Sequence, residues 1–359
     1  MSWHGKTDRV PSPDPVSTER WTRADGSALL RGNNLAVLRD LRETHAGQVA
    51  LVYLDPPFLT NRVHEAKDRA TGVERVAFDD RWADRAAYLE ALAPRFHAIA
   101  DLLAPHGSVV IHVDPKTSHY VKVLADEVFG DDAFASEIVW RYRRWPSKTP
   151  NFQRVHDVLL RYRKDPAVAP RWNPLYEPLA ASTIATWGTT KQRAVFEKGG
   201  KRARSSRTAE ATAGVPMGDV WDIGVLAPVA RERTGYPSQK PEALLDRIVM
   251  ALSDPGDLVL DPYAGSGTTL AVAAKRGRRF LGIDQSEVAL ETTLRRLAEI
   301  DVPLTLQPAA GGLACAEAPP TLTVAGGKGP SLRRASKRTA PFQEAPTMSV
   351  SPARRARAR

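Results

Sequence analysis

The sequence predicts a doubly wound α/β fold, in which a mainly parallel sheet carries helices on both faces. Three observations lead there. Short, nearly continuous apolar runs such as Gln48–Leu54 (QVALVYL) suit strands buried on both faces of a parallel sheet. Segments with helical apolar spacing alternate with those runs. The runs end in Asp, Pro or Gly, as expected at the carboxyl edge of an open α/β sheet, where ligands bind.

Residues 1–26 are polar and proline-containing and are expected to form a loose arm. A short strand is predicted over Ala28–Arg31 and a helix from about Asn34 to Thr44. The strand Gln48–Leu54 is stopped by Asp55-Pro56-Pro57-Phe58, because two prolines cannot continue a ladder. The polar segment 60–80 is expected to be a mobile loop. Helical spacing runs from Tyr88 to Leu103 and is halted by Pro105-His106-Gly107. Val109–Val113 predicts a strand, Tyr120–Phe129 a helix, and Ile138–Tyr142 and Val158–Tyr162 two short strands with Arg-rich flanks. Periodicity lapses over 164–235, where Pro, Gly, Arg and Trp accumulate. It resumes as helix (Pro241–Leu252), strand (Leu258–Leu260), helix (Thr268–Arg276), strand (Arg279–Ile283) and helix (Glu287–Ile300). Beyond Leu306 the Ala, Gly, Pro, Ser and Arg content predicts disorder.

The 359 residues carry a net charge of +10 and are 42% hydrophobic, which allows a sizeable core. The charge is segregated: −5 over 1–140, +11 over 141–212, −4 over 213–322 and +8 over 323–359. Positive charge gathered into one internal block and one tail is the footprint of a polyanionic partner. The single cysteine, Cys315, excludes an intramolecular disulfide and a cysteine-rich metal site, and no other metal is suggested. There is no apolar run of about 18 residues and no signal-peptide core, so the expected location is the cytoplasm, without a membrane partner.

Two loops carry the chemistry. Leu258–Leu270 (LVLDPYAGSGTTL) reads strand, acidic residue, glycine loop, helix. Gly265 and Gly267 permit a tight turn and a close backbone approach, and Thr268 opens a helix whose N-terminus faces the ligand. Leu270 stands where a dinucleotide-binding loop has its third glycine, which disfavours a pyrophosphate. Asp261 ahead of the loop suits a cationic or amine-bearing ligand. Asp284 ends the next strand, 17 positions after Gly267, about where a carboxylate reaches a ribose hydroxyl.

The other loop is Asp55-Pro56-Pro57-Phe58. An amino group on an aromatic base is a poor nucleophile, because its lone pair is delocalised into the ring. The Asp55 carboxylate and the Pro56 carbonyl could accept its two protons and direct the lone pair at an electrophilic methyl group. Phe58 would stack on the base, worth about 1–3 kcal/mol, which helps offset the few kcal/mol of extruding it from a duplex.

With both loops in view, the sequence resembles the β class of amino-group DNA methyltransferases, in which the catalytic tetrapeptide precedes the cofactor loop. The resemblance covers roughly 28–304 through GNNLAVL (32–38), LVYLDPPF (51–58), GSVVIHVD (107–114), FGDDAFASEIVWRYRR (129–144), TGYPSQKPEALLDRIV (234–249), DPYAGSGTT (261–269) and GIDQSE (282–287). It implies a Rossmann-like methyltransferase sheet in permuted motif order, with S-adenosylmethionine as cofactor and duplex DNA as partner. It implies that Asp55, Pro56, Pro57 and Phe58 are catalytic. Asp261, Pro262, Ala264, Gly265, Ser266, Gly267 and Thr268 would hold the methionine side of the cofactor, and Asp284 its ribose. Lys240, in Gln239-Lys240-Pro241, would lie near its carboxylate. Asn33 stands where the family usually has Asp, at a contact to the cofactor's adenine.

The basic block completes the reading. Arg141, Arg143, Arg144, Lys148 and Arg154, interleaved with Tyr142 and Trp145, form a strip for phosphates with aromatic wedges. Lys198, Lys201, Arg202, Arg204 and Arg207 form a second cluster. The expected organisation is a methyltransferase domain from 1–145 and 236–305, a target-recognition insert at 146–235 and a disordered basic tail at 306–359. The expected reaction is direct methylation of adenine N6, since Asp55 rather than Ser opens the tetrapeptide. N4-cytosine methylation, RNA methylation and a non-catalytic DNA-binding protein on the same fold are the alternatives. A homodimer and an accompanying restriction endonuclease are left open.

Overall fold

The apolar runs become strands of one ten-stranded sheet. A computed structural model describes residues 19–307 apart from 68–71, 147, 149 and 197; the basic tail lies outside the described residues. The chain opens with β1 (Arg20–Thr22), β2 (Ala28–Arg31), α1 (Asn34–His45) and β3 (Val49–Leu54). There follow β4 (Val63–Lys67), β5 (Glu74–Asp79), α2 (Arg85–Leu102), β6 (Leu103–Val113), α3 (Ser118–Phe129), β7 (Phe134–Arg141) and β8 (His156–Arg163). The aperiodic segment holds β9 (Tyr176–Glu177), α4 (Ala181–Trp187), β10 (Thr190–Phe196), β11 (Arg202–Ala211), β12 (Val215–Pro216) and β13 (Val220–Asp222). The remainder is α5 (Glu242–Leu252), β14 (Leu258–Asp261), α6 (Thr268–Lys275), β15 (Arg279–Asp284), α7 (Glu287–Ala298) and β16 (Thr305–Gln307).

The sheet order is β13-β7-β8-β6-β3-β14-β15-β2-β1-β16. Its centre, β6-β3-β14-β15-β2, is parallel, whereas β8 runs antiparallel to both β6 and β7. Side chains alternate across the central strands. Val52 and Leu54 pack on one face with Leu38, Leu92, Phe96 and Leu124 of α1, α2 and α3. Leu51 and Tyr53 pack on the other with Leu244, Ile248, Leu270 and Leu297 of α5, α6 and α7. Helices on both faces explain why β3 is apolar at every position.

Three expectations are corrected. The segment 60–80 is not a loop: β4 and β5 pair as an antiparallel hairpin, with Ala66 and Ala77 buried. Only Ala66 and Ala77 are fully buried and they lie among charged neighbours, so the apolar signal is too weak to read as strand. The insert does not stand wholly apart between 146 and 235, because β8 and β13 both belong to the main sheet. The expected arm at 1–26 contributes β1, which pairs with β2 and β16. Among the described residues, no helix is long and apolar enough to cross a membrane.

Candidate active site

Asp55 and Asp261 lie about 200 residues apart in sequence, yet the sheet makes them neighbours. β3 and β14 are adjacent and parallel, with Val52 opposite Leu260, so both acidic loops leave the same carboxyl edge side by side. Between them lies a cavity of about 330 Å³. It is lined by Asn33, Asp55, Pro56, Pro57, Phe58, Lys240, Asp261, Pro262, Ala264, Gly265, Ser266, Thr268 and Asp284. Every expected catalytic and cofactor residue except Gly267 is thus at one surface.

Gly267 acts from behind. It caps α6 with a left-handed backbone, φ 70°, and a Cβ there would come 2.7 Å from the Thr293 side chain. The loop is further held by the Asp284 carboxylate, which accepts from the Gly265 N–H (2.8 Å) and the Ser286 N–H (2.9 Å). Thr293 donates to the Gly265 carbonyl and Arg296 to the Thr268 hydroxyl. Asn33 caps α1 by accepting from the Leu35 N–H (3.0 Å), while Asn34 donates to the Pro262 carbonyl (2.9 Å). The glycine loop is therefore braced from behind by α7 and by the Asp284 carboxylate.

Burial pushes the Asp261 carboxyl up to about 7, the nearby charges of Asp55 and Asp284 adding to it, although Thr269 and the Tyr263 N–H bond to it. Burial also raises Asp284 above the usual carboxylate range. Such sites are relieved by a cationic ligand.

At the other loop, one Asp55 oxygen accepts from the Lys240 ammonium, which also donates to the Ser238 carbonyl (3.1 Å). The other oxygen, Oδ1, is buried and has no hydrogen-bond partner. The Phe58 ring packs 5.4 Å from the His112 ring, with the Lys240 ammonium 5.1 Å from its centre. A family model for DNA methylases, covering the N6 and N4 amino-methyltransferases, matches residues 49–295, the span that holds both loops. The chain belongs to this family. It is a DNA methyltransferase of the amino-group type.

Similar chains agree in extent. The type II methyltransferase M.EcaI of Enterobacter cloacae is 28% identical over 316 residues, 74% of this chain and 68% of that protein. The DNA adenine methyltransferase YhdJ of Escherichia coli K12 is 28% identical over 274 residues, 76% of this chain and 83% of that protein. Among solved structures, the M1.HpyAVI–SAM complex has a TM-score of 0.47 at 18% identity, covering 75% of this chain and 98% of that one.

S-adenosylmethionine is the methyl donor of the DNA methylase family. The residues present fit it: two carboxylates whose charge burial disfavours when they stand alone, beside a glycine turn whose Gly265 lines the cavity at φ 51°. When bound, it supplies a methyl group on a positively charged sulfur.

The basic strip lies apart from the cavity wall. It follows β7 at the same carboxyl edge. Arg141 is paired with Asp222, and Arg144 lies over the Tyr142 ring and donates to its hydroxyl (3.3 Å). Arg143 and Lys148 are exposed, as are Trp145 at 88% and Phe152 at 100%. Arg202 and Arg204 sit on β11, and their side chains lie outside the described residues.

Sequence reasoning missed several residues of the DNA methylase site. Asp80 is fully buried and accepts from the Leu59 and Thr60 N–H groups, the Thr60 hydroxyl and the Trp82 indole. Phe78 and His64 of the β4–β5 hairpin stack on each other at 4.5 Å, and Phe78 lies 6.4 Å from Tyr236 on the cavity wall. His112, Asp157 and Tyr53 sit directly behind Asp55. A histidine inside the apolar run VVIHV was the one available signal.

Proposed function

We propose that this DNA methyltransferase transfers a methyl group from S-adenosylmethionine to N6 of an adenine flipped out of duplex DNA. The observation that carries this reading is the buried, unpartnered Asp55 Oδ1 at the Phe58 face of the cofactor cavity. An adenine stacked on Phe58 presents its amino group to Asp55 and to the Pro56 carbonyl. Both are acceptors, so the amino nitrogen is turned to offer its lone pair toward the cofactor loop. Lys240 balances the Asp55 charge. The adenine assignment is supported by the acidic first residue of the tetrapeptide and by the similarity to YhdJ, which is named a DNA adenine methyltransferase.

The protein's own residues supply positioning and polarity, and no covalent link to the base is needed. Residues 146–235 outside β8 and β13 are assigned to target recognition, with Arg143, Arg144 and Lys148 as phosphate contacts. An accompanying endonuclease belongs to the same proposal, supported only by the similar M.EcaI being named a type II methyltransferase.

Expression in a host lacking amino-group methylation tests the proposal. Nucleosides from digested genomic DNA are measured by mass spectrometry for wild type and Asp55→Ala. N6-methyladenine with wild type alone is expected. N4-methylcytosine would overturn the base assignment, and methylated RNA with unmodified DNA would overturn the substrate.

A further inference from the structure

His112 is 0% exposed at the end of β6, between two carboxylates that come from different strands. Its Nδ1 lies 3.6 Å from Asp55 Oδ1, and its Nε2 lies 3.6 Å from Asp157 Oδ2 on β8. The Tyr53 hydroxyl is 2.8 Å from the same Nδ1. The rings of Phe58 and Trp140 pack at 5.4 and 5.5 Å. Nothing in the family match accounts for a buried imidazole here.

We propose that the His112–Asp157 pair is a proton relay, taking up through Asp55 the proton that the target amino group releases on methylation. The inference rests on the methyl-transfer reading. The tautomer follows from the neighbours. Burial and the charges of Asp55, Asp261 and Asp157 raise the Tyr53 hydroxyl well above its ordinary range, so it stays protonated and donates to Nδ1. Nδ1 is then the basic nitrogen, and the Nε2 hydrogen faces Asp157. Burial works against the Asp157 charge, but His112, Lys240 and a hydrogen bond from Tyr142 (3.0 Å) outweigh it, and its carboxyl lies below the usual range.

The proton balance is simple. An amino nitrogen that has gained a methyl group carries one proton too many. Its N–H bond breaks, the electron pair returns to nitrogen, and the proton forms an O–H bond with Asp55 Oδ1. That proton then passes to Nδ1, where Tyr53 gives up its donation. The resulting imidazolium stands against the Asp157 carboxylate, and Asp55 is again an acceptor. His112 does not touch the base: it acts through Asp55. The titratable and charged groups around the pair are Tyr53 on β3 and Asp55 just after it, which face His112, and Tyr142 after β7 and Lys240 ahead of α5, which act on Asp157 of β8.

Single-turnover methylation of a duplex, with nucleosides read by mass spectrometry from pH 5.5 to 9, tests this on wild type, His112→Gln and Asp157→Asn. Saturating S-adenosylmethionine keeps the Asp261 titration out of the profile. Wild type should lose rate on the acid side, because a relay must begin able to accept a proton. His112→Gln should be slower by about 10²-fold, the scale of positioned proton transfer. It should lack the acid limb and keep wild-type cofactor affinity and base flipping, followed by calorimetry and 2-aminopurine fluorescence. Asp157→Asn should also slow transfer, because the imidazolium formed in the relay loses its counter-charge, again with wild-type cofactor affinity and base flipping. A wild-type rate and profile in His112→Gln overturns the relay. So does a rate loss matched by an equal loss of cofactor binding or flipping, which marks a structural role. Wild type that makes no methylated nucleoside at any pH removes the methyl-transfer reading itself.

Discussion

At the scale of residues, the site is built from groups that are uncomfortable alone. Asp261 is 3% exposed, and its carboxyl is pushed up to about 7. A cationic ligand binds the ionised form better, so affinity for S-adenosylmethionine should fall as pH drops through about 7, measurable by calorimetry between pH 6 and 8. The same shift sets stability in the empty protein. The unfolded chain releases this proton in the ordinary carboxylate range while the folded chain retains it to about 7, so stability is lost as pH rises across that window. Asp261→Asn should therefore stabilise the empty protein at pH 8 by on the order of 1–3 kcal/mol in thermal melts, yet abolish cofactor binding. Gly267→Ala should do the reverse of a neutral change. The left-handed φ and the 2.7 Å approach to Thr293 predict a loss of about 1–3 kcal/mol and a displaced cofactor loop. Both glycines and both acidic residues were legible in the sequence, because a glycine turn after an apolar strand has a fixed chemical meaning. His112, Asp157 and Tyr53 were not, because their proximity to Asp55 depends on the side-by-side placement of β3, β6 and β8, which no local pattern encodes.

At the scale of elements, the catalytic loop depends on the hairpin that follows it. Leu59 and Asn61 both adopt positive φ, at 56°, which is strained for side-chain-bearing residues. The buried Asp80 carboxylate holds that turn through the Leu59 and Thr60 N–H groups. Asp80→Ala leaves these donors unpaired at about 1–3 kcal/mol each. It should lower single-turnover methylation far more than cofactor affinity, because the cofactor loop is anchored elsewhere. Equal losses in both would show that the hairpin supports the whole cavity rather than the tetrapeptide. Most of the parallel strands and their helices were readable from periodicity to within two residues, since burial on both faces leaves an unbroken apolar run. The exceptions are β6, which begins at Leu103 rather than Val109 and runs through the expected Pro105-His106-Gly107 stop, and α2, which begins three residues before Tyr88. The hairpin was not, because its strands fully bury only Ala66 and Ala77, with His64 and Phe78 half-buried at the cavity wall. The antiparallel course of β8 was likewise silent: an apolar strand reads the same in either direction.

At the scale of the whole molecule, the separation of charge follows the division of labour. The mildly acidic stretches, −5 over 1–140 and −4 over 213–322, contain the cofactor site and nearly all strands of the main sheet, while the +11 block between them contributes β8. Exposed Arg143 and Lys148, with Arg144 over Tyr142, lie at the carboxyl edge that carries Asp55. Replacing Arg143, Arg144 and Lys148 by Ala should reduce the slope of log affinity against log salt by about 0.9 per phosphate contact, without changing cofactor affinity. The permuted order of the loops was legible, and with it the family. The recognised base sequence is carried by side chains whose contacts form only with DNA.

The central claim is that Asp55 performs amino-group chemistry in a cavity whose binding functions are separate from it. Its most direct measurement is methyl transfer by purified wild type and Asp55→Asn to a mixed-sequence duplex, with products identified as nucleosides and with binding of S-adenosylmethionine and DNA measured on the same preparations. Wild type should yield N6-methyladenine, and Asp55→Asn should bind both partners yet be slower by about 10²-fold or more, the scale of losing one transition-state hydrogen bond. Transfer at the wild-type rate by Asp55→Asn would contradict the account.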